Sequence, residues 1–164
     1  MAKTKKIKLL KTYVITVSVK FPKKGIVVPK PTGFKKKILS GEKKHTVRLN
    51  YKFWKKRIDQ INKGNAILSV RQWTGLPYRS KQVEIKRFKQ GEVGYEGIVV
   101  YEDAIDVAIN TGKDEYYLFL SDKQIKKLAK NDGLTLQQFQ DWFKHGASDG
   151  IIIHFSRLRY NKQK

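Results

Sequence analysis

The run Gly150-Ile151-Ile152-Ile153-His154-Phe155 narrows what this chain can fold into more than any other stretch. β-Branched residues favour strands. A short unbroken apolar run set off by a glycine reads as a buried strand. Other strands are written along the chain in the same language. Tyr13, Ile15, Val17 and Val19 alternate through 12–21 and would share one face of a strand. Residues 67–73, 83–88 and 97–101 follow as three more, and Ile105, Val107 and Ile109 alternate as a fourth. Pro22-Lys23-Lys24-Gly25 and Thr74-Gly75-Leu76-Pro77 are turn signals, Ile26 to Val28 form a short strand, and 116–120 is an apolar, aromatic run.

Helices are short and fall between the strands. Thr32 caps one that buries Phe34 and Ile38, turns Lys35, Lys36 and Lys37 to solvent, and ends at Gly41. A second follows Asn50, with Trp54, Ile58 and Ile61 on one face and Gly64 closing it. Ser121 with Gln124, and Thr135 with Gln138, are capping boxes for two more. The first of these presents Ile125 and Leu128 to the core, and the second Phe139, Trp142 and Phe143. Asn131-Asp132-Gly133 joins them. Short strands, short helices and many turns predict an α+β domain with a small curved β-sheet or β-barrel flanked by short helices. The expected organisation is a flexible basic arm over 1–11, one domain over 12–160, and a basic tail over 161–164.

Charge points to a partner. Lys and Arg number 36 against 14 Asp and Glu, a formal net charge of +22. A compact domain so charged repels itself unless polyanions or counterions screen it, and solubility needs only about 2–8 charges. The imbalance reads first as a nucleic-acid footprint. The arm, with Lys3, Lys5, Lys6, Lys8 and Lys11, and Lys35–Lys37 would hold a phosphate backbone. No apolar run approaches the ~18 residues of a membrane span, so no membrane partner is expected. Cysteine is absent, which removes disulfides, thiolate zinc sites and cysteine nucleophiles, and fits a cytoplasmic protein.

The strongest local motif is Gly41-Glu42-Lys43-Lys44-His45-Thr46-Val47-Arg48. Arg48 offers a planar fork of donors suited to phosphate or a base edge, and Lys43 and Lys44 offer point charges. If 43–46 form a helical turn or tight loop, Lys43 and Thr46 meet; on a regular strand they face opposite sides. The plain alternative is that Lys43 and Lys44 are solvated charges after a helix end.

The motif lies between a short helix and an aromatic-rich one, and Gly64-Asn65-Ala66-Ile67-Leu68 follows. Asp132-Gly133-Leu134-Thr135, the Phe139/Trp142/Phe143 helix and the 151–155 strand come later. In this order they resemble the ASCH family, a branch of the PUA-like superfamily of small β-barrels, over residues 30–160. The resemblance implies an RNA- or nucleotide-binding module. It also implies an alternative, since some members look like amidohydrolases that remove an acyl group from cytidine, and others like ribonucleases. By that resemblance Lys43 and Thr46 match two catalytic positions, and Asp132 stands where the family carries Glu. Thr46 would be nucleophile, Lys43 base, and Asp132 the group orienting Lys43 or the substrate. Asp132 is equally a turn residue between helices. A third reading is a structural component of a ribonucleoprotein.

Trp73, Tyr78 and Arg79 flank a turn at a strand end, where an aromatic beside Arg can stack a base. Trp73 reads equally as core. With Lys43, Lys44 and Arg48 they are the expected nucleotide-binding residues. His45, His145 and His154 lack metal-ligand spacing, His154 reads as a packed core histidine, and no motif calls for a metal or cofactor.

Overall fold

The computed structural model describes residues 9–22, 29–112 and 116–162. Strands and helices interleave along them. The first half holds β1 (Lys11–Thr16), α1 (Phe34–Leu39), β2 (His45–Leu49), α2 (Tyr51–Asn62), β3 (Ala66–Trp73) and β4 (Gln82–Phe88). The second holds β5 (Gly94–Val100), β6 (Val107–Asn110), β7 (Tyr117–Phe119), α3 (Asp122–Asn131), α4 (Leu136–Trp142) and β8 (Ala147–His154).

The protein is α+β. Its strands form two sheets, a three-stranded one ordered β1-β3-β4 and a five-stranded one ordered β2-β8-β5-β6-β7, and no closed barrel forms among the described residues. The isoleucine run behaves as its composition demands. β8 lies between β2 and β5, antiparallel to both, and Ile151, Ile152 and Ile153 are each 0% exposed. α2 buries Ile58 and Ile61, and α3 buries Ile125 and Leu128 against the same core. Both capping boxes form: the amides of Ser121 and Thr135 donate to the side chains of Gln124 and Gln138.

Several expectations shift. Lys11 starts β1, so the strand begins inside the expected arm, and residues 1–8 and the strand expected at 26–28 lie outside the described residues. β1 ends at Thr16, although the Val17 amide still donates to the Arg71 carbonyl. Gly33, at φ +69°, takes the N-cap position of α1. Thr32 stands one residue earlier, its hydroxyl accepting from the Phe34 amide and donating to the Ser18 carbonyl. Lys37 does not point freely to solvent, because its ammonium reaches the Gly133 carbonyl at 2.6 Å. Ile105 is exposed and precedes β6, since Asp103 and Ala104 both take positive φ and break the alternation there. The chain after β8 does not trail away; Tyr160 and Asn161 return to the sheet and donate their amides to Glu96.

Candidate functional site

The Gly41–Arg48 motif leaves α1 through Gly41, whose φ of +78° an L-residue rarely adopts. It then runs into β2. Strand alternation puts His45 and Val47 on one face and Thr46 and Arg48 on the other. Lys43 precedes the strand, and its side chain is buried. Its ammonium donates to the Asp132 carboxylate at 2.5 Å and to the Asp132 carbonyl at 2.6 Å, and lies 4.2 Å from the centre of the Phe34 ring. Lys43 is therefore not a solvated charge after a helix end.

Asp132 is more than a turn residue. It caps the C-terminus of α3, where its carboxylate is buried with Lys43. Burial pushes the Lys43 ammonium down from its ordinary range, against the pull of Asp132. Burial pushes the Asp132 carboxyl up, against the pull of Lys43. Each group thus opposes the neutralising effect of burial on the other. Thr46 is 3% exposed, its backbone pairs with Ile153 of β8, and no hydrogen bond joins its hydroxyl to Lys43 or to any other described residue. The direct Lys43–Thr46 meeting that a helical turn permits does not occur.

Behind this pair lies a polar network that sequence reasoning missed. His45 Nε2 is 2.8 Å from the Tyr160 hydroxyl, which also accepts from the Asn131 amide at 2.9 Å. His154 is a packed core histidine whose Nε2 lies 2.6 Å from Glu96, but it is only half satisfied, because its buried Nδ1, like that of His45, has no hydrogen-bond partner among the described residues. Burial is the main force lowering both imidazoles, His45 well below its usual value. Glu96 sits on β5 in Gly94-Tyr95-Glu96-Gly97, just ahead of the expected strand start at Gly97, so it read as loop. An acidic residue between apolar strand positions was the available signal. Nothing local marks Tyr160 or Asn131.

Arg48 is partly buried, and its fork is already engaged, donating to the Val47 carbonyl at 3.0 Å and to the Thr16 carbonyl at 2.6 Å. It ties β2 to the end of β1 and does not line an open site. Lys44 is exposed, while its backbone bridges Asn131 and Phe155.

The open site lies next door. β1 and β3 run parallel in register as far as Thr16 opposite Arg71. Beyond that point the two chains part, and a cleft of about 650 Å³ opens between 16–20 and 73–78. One wall is Val17, Val19 and Lys20, held by the Thr32 amide and hydroxyl on the Val19 and Ser18 carbonyls. The other is Trp73, Leu76, Pro77 and Tyr78, on a turn closed by Ser80, whose hydroxyl meets the Gly75 amide and the Leu76 carbonyl. Trp73 is half-buried with its ring 5.3 Å from that of Tyr78, and Tyr78 is 91% exposed at φ +63°. Trp73 is thus a wall of the cleft and not core. Arg79 is exposed beyond the lining. Of the expected site residues the structure brings Trp73 and Tyr78 to one cleft and joins Arg48 to it through Thr16. Lys43 and Asp132 form a separate buried pair.

Among the described residues no group of His, Asp or Glu is placed to hold a metal ion, and no helix is long and apolar enough to cross a membrane. No protein-family model matches the chain, and comparisons with characterised proteins and with solved structures find no match.

Proposed function

We propose that the protein is an RNA- or nucleotide-binding module of PUA-like kind whose ligand enters the cleft between the ends of β1 and β3. The observation that carries this reading is the pairing of Trp73 with Tyr78 across from Val17 and Val19, in a cleft whose only charged lining residue among those described is Lys20. A base is flat and apolar on its faces, and stacking on an aromatic contributes about 1–3 kcal/mol whatever its identity. A net charge of +22 supplies the attraction for the phosphates. The ASCH resemblance supports the same class of ligand.

The hydrolase reading keeps one observation, the meeting of Lys43 with Asp132. Against it, the Lys43 ammonium is shielded from solvent, donates to the Asp132 carboxylate and carbonyl, and faces the Phe34 ring. A general base has to reach the proton it takes.

The test is binding of a short fluorescent single-stranded RNA. Trp73→Ala and Tyr78→Ala should each weaken it by about 1–3 kcal/mol while leaving the thermal midpoint near that of the parent. For about 5 phosphate contacts, log K against log salt should fall with a slope near −3.5. A flat salt response, or affinity indifferent to both substitutions, removes the cleft from the account.

A further inference from the structure

Two helices far apart in sequence turn lysines outward. α1 buries Phe34 and Ile38 and exposes Lys35 and Lys36. α3 buries Ile125, Leu128 and Ala129, and its exposed positions are all polar: Asp122, Gln124 and the lysines 123, 126, 127 and 130. Hydrogen bonds bring the ends of the two helices together. The Lys37 ammonium reaches the Gly133 carbonyl at 2.6 Å, just past α3. The Lys44 amide donates to the Asn131 carbonyl at 2.7 Å, which sets the exposed Lys44 beside the last turn of α3.

Folding does not account for these lysines. Among the described residues, the ion pairs made by lysine and arginine are Lys43–Asp132, Lys55–Asp59 and Arg87–Glu84, and none takes a lysine of this set. Asp132 is buried with Lys43, which leaves Glu42 and Asp122 as the exposed acids of α1, α3 and the turn before β2. Lys36 and Lys130 stand in the last turns of their helices and suit the helix dipoles. Lys123 stands in the first turn of α3 and does not. Lys123 with Lys127, and Lys126 with Lys130, set like charges four apart, which weakens a helix. A helix bearing that cost with no internal partner is suited to an external polyanion.

The lysines begin where the cleft ends. Thr32 holds the Ser18 and Val19 carbonyls of the cleft wall, Gly33 turns the chain at φ +69°, and α1 starts at Phe34. Lys20 lines the cleft and bridges to Pro31 on the same approach. α1 is about 9 Å long and α3 about 15 Å, room for several nucleotides. We infer, resting on the cleft reading above, that RNA seated in the cleft runs its backbone from there across α1 to the exposed face of α3. The ligand is then a single strand of several nucleotides, because a mononucleotide fills the cleft and leaves the lysines unmet. A membrane is the other extended polyanion, but it takes up apolar side chains between the cations, and α3 exposes none.

The experiment follows the anisotropy of a fluorescein-labelled single-stranded RNA of about 12 nucleotides, a length within the range that such sites cover. Circular dichroism confirms that each variant is folded. Lys35→Gln with Lys36→Gln, and Lys126→Gln with Lys130→Gln, should each weaken binding about tenfold and flatten the slope of log K against log salt by about 1.4, the share of two phosphate contacts. Lys52→Gln with Lys56→Gln removes equal charge from α2, which packs on β3, β5 and β8, and should leave the slope unchanged. Shortening the RNA to a dinucleotide should lower the affinity of the parent and erase its advantage over the α3 pair. Equal losses from all three pairs, or an α3 pair that binds the longer RNA as the parent does, overturns the path. So do phosphatidylserine vesicles that bind through the α3 lysines while the RNA ignores them. Trp73→Ala separates the path from the cleft. If it weakens binding and the lysine pairs do not, the cleft stands and the path is overturned. If the lysine pairs weaken binding and Trp73→Ala does not, RNA meets the lysines alone, and both the cleft reading and the path that starts there are overturned.

Discussion

The Lys43–Asp132 pair allows a prediction with a pH signature. In Asp132→Ala the Lys43 ammonium stays buried and keeps only the carbonyl of residue 132 and the face of Phe34. Removing one partner of a buried pair costs about 3–5 kcal/mol, because the other charge is left unpaired. Burial already lowers the Lys43 pKa, and deleting the carboxylate that raises it lowers it further. Between that folded value and the unfolded one the unfolded chain binds more protons. Stability of Asp132→Ala should therefore rise with pH, by up to about 1.4 kcal/mol per unit. Lys43→Met exposes the opposite tendency. It leaves a buried carboxyl whose pKa burial raises, so the unfolded state releases its proton first. Stability of Lys43→Met is then greatest at low pH and is lost as pH rises through the folded value. Urea unfolding at pH 5, 7 and 9 measures all three proteins. Both variants should lose about 3–5 kcal/mol at pH 7 and then diverge, Asp132→Ala recovering at pH 9 and Lys43→Met at pH 5. Losses under about 1 kcal/mol, or parallel pH trends, would refute the view that a buried charge pair holds α3 to β2.

Two further predictions come from neighbouring groups. His45 is buried with its pKa depressed, so it contributes nothing at pH 7 and costs stability as pH falls below about 6.5, where the unfolded imidazole takes a proton first. Unfolding midpoints between pH 7 and 5 should show a loss of about 2 kcal/mol that His45→Gln reduces; an unchanged slope in that variant would assign the loss elsewhere. The Thr46 hydroxyl makes no hydrogen bond to a described residue, so Thr46→Val should leave stability within about 1 kcal/mol. Chromatography of an acylated cytidine incubated with the parent or with Asp132→Glu should show no cytidine released, and release that Thr46→Val abolishes would establish the hydrolase.

The elements that composition alone could specify were legible: the isoleucine strand, both capping boxes, and the buried faces of α1 and α2. Each follows from residues near in sequence, through β-branching, cap chemistry or periodicity. Ile105 misled because alternation says nothing of the positive φ at Asp103 and Ala104 that ends the pattern before β6. Lys37 misled because a lysine among lysines on a short helix reads as solvated, while its acceptor, the Gly133 carbonyl, comes from 96 positions away. Glu96 and Tyr160 were invisible for the same reason, being 64 positions apart. At the cleft, Trp73 and Tyr78 were legible as a strand-end aromatic pair, but the wall opposite them was not. It exists because β1 and β3 are parallel neighbours that part after Thr16, and pairing between strands so far apart leaves no mark on either.

That difference in range explains why the Gly41–Arg48 motif reads as chemistry and folds as a joint. Gly41 turns the chain out of α1, and Lys43 fastens it to the end of α3. His45 meets Tyr160 and so the segment after β8, Val47 enters the core, and Arg48 holds the end of β1. Charged and polar side chains at these positions are consumed by the fold, since a buried donor left unmade costs more than the bond returns. A short stretch that must satisfy three distant segments needs cations and an imidazole at close spacing, which are also the groups of a phosphate or catalytic site. Composition cannot separate the two, but the availability of the groups can. Here the groups left free to meet a ligand are the faces of Trp73 and Tyr78 and the exposed lysines, and the functional reading rests on them.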